Sequence, residues 1–180
     1  MNQDQVIVRK ATESDAAEIA RVHVAAWRAA YKELLPADLL ANLSEDRRRE
    51  WWGQMLEANL PENGMFVAEF EQRLVGFVLV WPAREVDPEQ NWGEVSAIYL
   101  LESEWGKGTG WRLWQAADEF LQSADYDTVM LWVLDGNERA IQFYEKIGFV
   151  QDSSPQGLKL EQLGDVTVRE IKYLLASPKP

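Results

Sequence analysis

The chain has 180 residues, of which 47% are hydrophobic and 27% charged, with a formal net charge of -12 at pH 7 and no cysteine. The length favours one domain over residues 1–180, with its core at about 5–175. The acidic balance argues against nucleic-acid binding, which needs a basic face. The lack of cysteine excludes disulfides, thiolate metal sites and a cysteine nucleophile.

The sequence shows no pattern typical of a signal peptide, a membrane span or a metal site. The N-terminus lacks the apolar core of a signal peptide, and no run approaches the roughly 18 apolar residues of a membrane span. We therefore expect a cytoplasmic protein with no membrane partner. No group of His, Asp and Glu has metal-ligand spacing, so we predict no metal.

Hydrophobic periodicity and turn residues predict strands and helices in an irregular order along the chain. In chain order they are a strand at 5–11, a helix at 12–31, one broken helix or two helices at 34–59, strands at 65–70, 74–82 and 92–101, a helix at 108–123, a strand at 126–134, a helix at 137–148, and closing strands at 149–152 and 166–175. The segment 153–165 reads as irregular. The order predicts a mixed α/β fold, with a mostly antiparallel sheet of about seven strands and helices on both faces.

The segment "WGKGTG" (105–110) is a glycine loop between a predicted strand and a predicted helix. Glycines let backbone N–H groups approach an anion, and the helix dipole and Lys107 add favourable potential for a pyrophosphate. A Walker phosphate loop fails because Leu101 stands where its first glycine belongs and Gly108 where its Ser/Thr belongs. A dinucleotide fingerprint fails because Trp111 stands at its third glycine.

The segment "NERAIQFYEKIGF" (137–149) adds a second feature of the same site. Asn137 starts a short helix, and Tyr144 follows seven residues later, which is about two helical turns, so the two side chains share one face. Phe143 and Phe149 read as core aromatics. A phenol and an amide on one helix face can line a cleft.

These two segments resemble motifs of the GCN5-related N-acetyltransferase (GNAT) superfamily. The first matches the acyl-CoA motif Q/R-x-x-G-x-G/A, with Trp105 as the one departure, since its position carries neither glutamine nor arginine. The second matches N-x-x-A-x-x-F-Y-x-x-x-G-F in full. The segment "HVAAWRAAYKELLP" (23–36) is also similar to the first helices of many bacterial members.

The resemblance implies the GNAT fold and acetyl-CoA as co-substrate. It assigns coenzyme binding to Ile98, Tyr99, Leu100, Trp105, Gly106, Lys107, Gly108, Thr109, Gly110, Trp111 and Asn137. The backbone of the first three would pair with the pantetheine arm, and the amides of the loop would hold the pyrophosphate. Tyr144 would protonate the departing thiolate.

The general base is less specified. Some relatives use a glutamate on the strand before the second motif, but that position is Trp132 here. Glu94 is the first choice, acting directly or through a water that Ser96 helps to hold, and Asp135 is the alternative. In a regular strand, Glu94 and Ser96 would face the same side as Ile98, and a bulge would change this.

The resemblance therefore implies transfer of an acetyl group to a primary amine by direct attack in a ternary complex. Two alternatives stay open: a non-catalytic acyl-CoA sensor, and an acyltransferase that uses a longer acyl group or a protein amine. The acceptor is a small-molecule or peptide amine of unspecified identity, and a homodimer is possible. The histidine and aromatic residues of the first helices, His23, Trp27, Tyr31, Trp51 and Trp52, read as packing residues that could also border the acceptor.

Overall fold

A computed structural model describes residues 6–84, 86–87 and 89–176 of the protein. Its elements are β1 Ile7–Lys10, α1 Ala16–Ala30, α2 Ala37–Ala41, α3 Glu45–Ala58, β2 Gly64–Phe70, β3 Arg73–Pro82, β4 Trp92–Leu100, α4 Thr109–Ser123, β5 Thr128–Leu134, α5 Glu138–Ile147, β6 Val150–Gln151, β7 Leu158–Leu163 and β8 Val166–Ala176. Gln5 of the predicted first strand lies outside the described residues. The other predicted elements are present, and 34–59 holds two separate helices.

Local capping explains where the first helices begin. Thr12 and Asp15 form a capping box ahead of α1, in which the Asp15 carboxylate accepts from the Thr12 backbone N–H at 2.7 Å. The Ser44 hydroxyl accepts from the Arg47 N–H at 3.2 Å and starts α3. Both arrangements satisfy amides that a helix start leaves without a partner.

The described strands form one sheet of eight in the order β1-β2-β3-β4-β5-β8-β6, with β7 also paired to β8. Among the described strands, every pairing is antiparallel except that of β4 with β5. The predicted α/β class and the mostly antiparallel sheet are confirmed, but the strand number is one higher than predicted.

The extra strand is β7, so the prediction of an irregular segment at 153–165 was wrong. Residues Leu158–Leu163 pair with β8 across a turn at Gly164, whose φ is 62°. The sequence carries the signal, because Leu158 and Leu160 alternate with charged residues before a Gly-Asp turn. Both leucines are exposed, which is why the segment lacks the apolar character of a core strand.

Helices cover both faces of the sheet, and each face has its own core, with a smaller cluster of Leu35, Leu40, Leu134 and Val168 beside them. On one face α1 and α3 pack Ile19, Val22 and Trp52 against Phe77 and Leu79 of β3. On the opposite face α4 and α5 pack against the alternate residues of the same strands; this core includes Val78, Val80, Val95, Leu113, Ala117, Leu121, Ile141 and Tyr144. None of the helices within the described ranges is long and apolar enough to cross a membrane.

Two irregularities in β4 open the centre of the sheet. The parallel ladder of β4 with β5 contains only residues 92–94 and 128–130, so the strands separate beyond Glu94 and Met130. In the ladder with β3, Leu79 pairs with Ala97 but Val80 pairs with Val95, which leaves Ser96 as the extra residue of a bulge. A wedge-shaped gap therefore opens between the last halves of β4 and β5.

Candidate active site

The gap between β4 and β5 continues into a cleft of about 430 Å³. Residues of α1, β4, the glycine loop, β5 and α5 line it. Predicted site residues in the lining are Ile98, Tyr99, Leu100, Trp105, Gly106, Gly108, Gly110, Trp111, Asn137 and Tyr144. The structure thus brings the two motifs together on one cavity, although Trp111 and Asn137 are 26 positions apart in the chain.

The backbone of β4 offers hydrogen-bonding groups to the cleft on one side only. The Leu101 N–H donates to the Val75 carbonyl of β3 at 2.9 Å. Because backbone groups alternate sides along a strand, Tyr99 also directs its N–H and C=O to β3, whereas Ile98 and Leu100 direct theirs to the gap. The predicted backbone role therefore fits Ile98 and Leu100 but not Tyr99, which lines the cleft with its side chain.

The glycine loop has a conformation that favours glycine at two positions. Gly106 and Gly108 have φ of 74° and 86°, in the left-handed region, and an added Cβ would meet no atom within 4 Å at either one. The Arg112 N–H donates to the Gly108 carbonyl at 3.1 Å and is the first helical bond of α4. The amides of Thr109, Gly110 and Trp111 precede it, so this helix end can bind an anion.

Gly110 is needed for close packing rather than for its backbone angle. A Cβ there would lie 3.2 Å from Leu100 Cδ1 and 3.5 Å from the ring of Phe143. The first turn of α4 therefore sits directly against the end of β4 and against α5. This contact fixes the position of the loop relative to both walls of the cleft.

A buried carboxylate under the loop changes the predicted role of Lys107. Glu104 is 7% exposed, accepts from the Thr109 hydroxyl at 2.8 Å and pairs with the Lys107 ammonium at 3.3 Å. Lys107 is not among the described residues that line the cleft. The lysine ammonium therefore balances the charge of Glu104, and its contribution to the potential at the anion site stays a prediction.

Trp105 and Arg139 form a contact that the sequence alone did not indicate. The Trp105 indole N–H donates to the Leu100 carbonyl at 3.4 Å, which holds the ring beside the end of β4. The Arg139 guanidinium carbon lies 3.0 Å from the centroid of that ring. Arg139 also lines the cleft, together with Lys146 of the same helix.

Asn137 and Tyr144 occupy one wall of the cleft, as their spacing predicted. The Asn137 side chain caps α5 by accepting from the Ala140 N–H at 3.4 Å. Burial raises the pKa of the Tyr144 phenol well above its usual range, and the phenol of Tyr99 adds to this effect. Tyr144 therefore keeps its proton at neutral pH.

The candidate bases Glu94 and Asp135 lie in different surroundings. Glu94 pairs with Trp81, which packs in the core beneath α1 and α3, so it lies on that face of the sheet, opposite Ile98. The strand is not regular, because Ser96 forms a bulge, and Glu94 and Ile98 therefore face opposite sides of the sheet. Ser96 itself lines the cleft. Asp135 is bonded to the Arg169 guanidinium, and neither Asp135 nor Glu94 is among the described residues that line the cleft.

Aromatic side chains form the cleft wall on the α1 side. His23 stacks on Tyr99 with ring centroids 5.1 Å apart, and Trp27 meets Tyr31 edge-on at 5.1 Å. Tyr31, Tyr99 and Trp132 line the cleft, while His23 lies behind them. Burial lowers the pKa of His23 to about 3, and the charge of Arg48 acts in the same direction. His23 is therefore a neutral packing residue.

The remaining aromatic residues of α3 do not reach the cleft. Trp52 is buried, and its indole N–H donates to His23 Nδ1 at 3.1 Å, whereas Trp51 is 41% exposed. No group of three or more metal-ligating side chains occurs in the part of the chain that the structure describes.

Comparison with known proteins identifies the family. The model of the acetyltransferase (GNAT) family matches residues 18–149. The uncharacterized N-acetyltransferase YuaI of Bacillus subtilis (strain 168) is 34% identical over 164 residues, which cover 88% of this chain and 91% of the relative.

Solved structures show the same fold. The PaiA N-acetyltransferase of Thermoplasma acidophilum, solved in complex with coenzyme A, superposes with a TM-score of 0.73 at 19% identity and covers 94% of this chain and 99% of its own. An N-acetyltransferase of Staphylococcus aureus Mu50 superposes with a TM-score of 0.73 at 20% identity, and the superposition covers 96% of this chain and 99% of the S. aureus chain. With its cleft, its two motifs and these relatives, the chain belongs to the GNAT acetyltransferase family, and the predicted enzyme class, an acetyl-CoA-dependent N-acetyltransferase, is confirmed.

Proposed function

We propose that the cleft binds acetyl-CoA and transfers its acetyl group to a primary amine by direct attack in a ternary complex. The observation that carries the proposal is the continuity of the β4–β5 gap with the amides that begin α4. A strand-like pantetheine arm fits the first feature, and a pyrophosphate fits the second. The relative of known structure bound to coenzyme A supports the same choice of co-substrate.

The chain's own backbone would hold and polarise the donor. The N–H and C=O of Ile98 and the N–H of Leu100 face the gap and can pair with an amide-containing arm, while the Leu100 carbonyl accepts from the Trp105 indole N–H. An N–H in this wall would also donate to the thioester carbonyl oxygen, where negative charge develops during attack. The amides of Gly108–Trp111 would bind the pyrophosphate, and Asn137 would contact the arm or an ordered water.

Tyr144 would serve as the general acid. Attack of the amine nitrogen on the thioester carbonyl carbon breaks the carbon–sulfur bond, and the departing sulfur takes the phenolic proton. The raised pKa of Tyr144 keeps that proton in place until the thiolate forms. The same low-polarity surroundings raise the proton affinity of a thiolate, which favours the transfer.

Glu94 would serve as the general base from the other face of the sheet. It belongs to the face of α1 and α3, whereas Tyr144 packs in the core of α4 and α5. The cleft reaches both faces, since its lining includes Tyr99 from the α1 side and Tyr144 from the α5 side. An amine that arrives from the α1 side would lose its proton to Glu94 directly, or through a water held by Ser96.

The test is a binding titration followed by a turnover screen. Acetyl-CoA binding is measured by calorimetry, and release of CoA is followed with a thiol reagent over polyamines, aminoglycosides, amino acids and peptide N-termini. The chain has no cysteine, so it gives no background. The proposal predicts binding and amine-dependent CoA release. Lack of acetyl-CoA binding would overturn the proposal. Binding of acetyl-CoA without release of CoA for any amine would favour the non-catalytic acyl-CoA sensor.

A further inference from the structure

The cations that line the cleft come from α5 rather than from the glycine loop. Among the described lining residues, Arg139 and Lys146 are the basic ones, and Glu104 is the acidic one. Lys107 is bonded to Glu104 and is not among them. An anionic ligand in this cleft would therefore meet its positive charges on the α5 side.

Arg139 is held in a defined orientation by Trp105. Its guanidinium carbon lies 3.0 Å from the ring centroid, and the Trp105 indole N–H is itself fixed to the Leu100 carbonyl. In a guanidinium stacked on a ring, the indole covers one face while the N–H groups stay free to donate in the plane of the group. That geometry suits bidentate donation to a phosphate.

The surroundings strengthen an interaction with an anion. Although Arg139 as a whole residue is exposed, burial lowers its pKa from the ordinary value, and the nearby charge of Glu102 opposes this shift. The guanidinium is thus partly shielded from water. In such a site, the attraction between opposite charges is stronger than in bulk solvent. A cation–π contact with the indole holds the side chain in place before a ligand binds.

We propose that Arg139, oriented by Trp105, binds a phosphate group of the coenzyme and makes the enzyme select phosphate-bearing thioesters over acetyl-pantetheine. The inference rests on the proposed function, since it concerns the same cleft. Arg139 is the binding residue, and Trp105 is a positioning residue that acts through it. The two side chains then form one unit, and their contributions to binding are coupled.

The experiment compares ligands that differ in their phosphates. Dissociation constants for acetyl-CoA, acetyl-dephospho-CoA and S-acetyl-pantetheine are measured for the wild type, Arg139→Ala, Trp105→Ala and the double variant. Arg47→Ala removes an exposed arginine of α3 outside the cleft lining and serves as a control for charge. Trp105→Phe keeps an aromatic ring and serves as the conservative variant.

The proposal predicts that Arg139→Ala weakens acetyl-CoA at least about tenfold, as expected for loss of a charge-assisted hydrogen bond, and leaves S-acetyl-pantetheine unchanged. In a protein that already carries Trp105→Ala, Arg139→Ala should weaken acetyl-CoA binding by a smaller factor than in the wild type. Trp105→Phe alone should retain most of the affinity for acetyl-CoA. The loss seen with acetyl-dephospho-CoA assigns the contact: a tenfold loss supports the pyrophosphate, and no loss supports the 3′-phosphate.

Equal weakening of acetyl-CoA and S-acetyl-pantetheine by Arg139→Ala, or no weakening of either, would overturn the inference while leaving the proposed function intact. Failure of the wild type to bind acetyl-CoA would overturn both. Circular dichroism of each variant separates loss of binding from loss of folding.

Discussion

Glu94 and Met130 form the last pair of the parallel ladder between β4 and β5. Beyond this pair the two strands diverge, and the backbone of Ile98 and Leu100 faces a gap instead of a neighbouring strand. The bulge at Ser96 begins two residues later. Beyond it, the β4 side chains point to the opposite face from the one that a regular strand would give them. The candidate base thus lies where the sheet opens, on the face opposite the candidate acid Tyr144.

Two loop glycines are expected to matter for binding more than for stability. Gly106→Ala and Gly108→Ala should each cost roughly 1 kcal/mol of unfolding free energy, because alanine disfavours the left-handed region. Each should also weaken acetyl-CoA roughly tenfold, since a loop amide is displaced and a Cβ faces the anion. Thermal melts and calorimetry measure the two effects.

Gly164→Ala is the matched control for these variants. Gly164 has φ of 62°, its added Cβ would meet no atom within 4 Å, and it lies in the β7–β8 turn. It should show the same loss of stability with unchanged affinity. If the control weakened acetyl-CoA as much as the loop variants do, the placement of the anion site would be wrong.

Glu94→Gln is expected to impair turnover without impairing coenzyme binding. Removing a general base lowers kcat by roughly a hundredfold or more, and the residual rate should rise with pH as more amine is deprotonated in solution. The dissociation constant of acetyl-CoA should stay within about twofold, since Glu94 lies on the opposite face from α4 and α5. Steady-state kinetics between pH 6 and 9 provide the measurement.

Two variants control for Glu94→Gln. Glu62→Gln changes an exposed carboxylate in the loop before β2 and should leave kcat unchanged. Asp135→Asn tests the alternative base. Because the Asp135 carboxylate is bonded to Arg169, this variant should lower the stability of the protein and leave kcat unchanged. A large kcat loss in Asp135→Asn with a normal rate in Glu94→Gln would reverse the assignment.

The single histidine makes stability depend on pH below neutrality. His23 has a pKa of about 3 in the folded protein because it is buried, against about 6.5 when unfolded. As pH falls through 6.5 the unfolded chain binds a proton that the folded chain does not, so stability decreases. Linkage gives a loss of about 2 kcal/mol between pH 7 and pH 5.

His23→Asn removes this titration while keeping an acceptor for the Trp52 indole N–H. Urea denaturation at pH 7, 6 and 5 should show a smaller pH dependence for the variant than for the wild type. Parallel curves for the two proteins would contradict this, because they would mean that His23 takes up its proton over the same pH range in the folded and unfolded chains.

The sequence was informative where local chemistry determines structure. Capping residues such as Ser44 and the spacing of Asn137 and Tyr144 act within one or two helical turns, so they can be recognised in the chain itself. The glycine loop was recognisable for the same reason. Together with hydrophobic periodicity, these features were enough to predict the order of the elements other than β7 and the two segments that form walls of the cleft.

Long-range relationships were not accessible in the same way. The bulge at Ser96 depends on the register of β3 against β4, and the pairing of Lys107 with Glu104 depends on how the loop folds back. The contact of Arg139 with Trp105 joins two segments 34 positions apart in the sequence. The strand β7 was missed for a different reason, since its alternation was present but its leucines are exposed.

The most direct test of the account is Tyr144→Phe. The substitution removes one oxygen and keeps the ring in the α4–α5 core, so the fold and the affinity for acetyl-CoA should be retained. With an amine identified by the screen, kcat should fall roughly a hundredfold to ten-thousandfold, because the thiolate then leaves without a proton donor. Unchanged kcat in a variant that binds acetyl-CoA normally would contradict the assignment of Tyr144 as the acid.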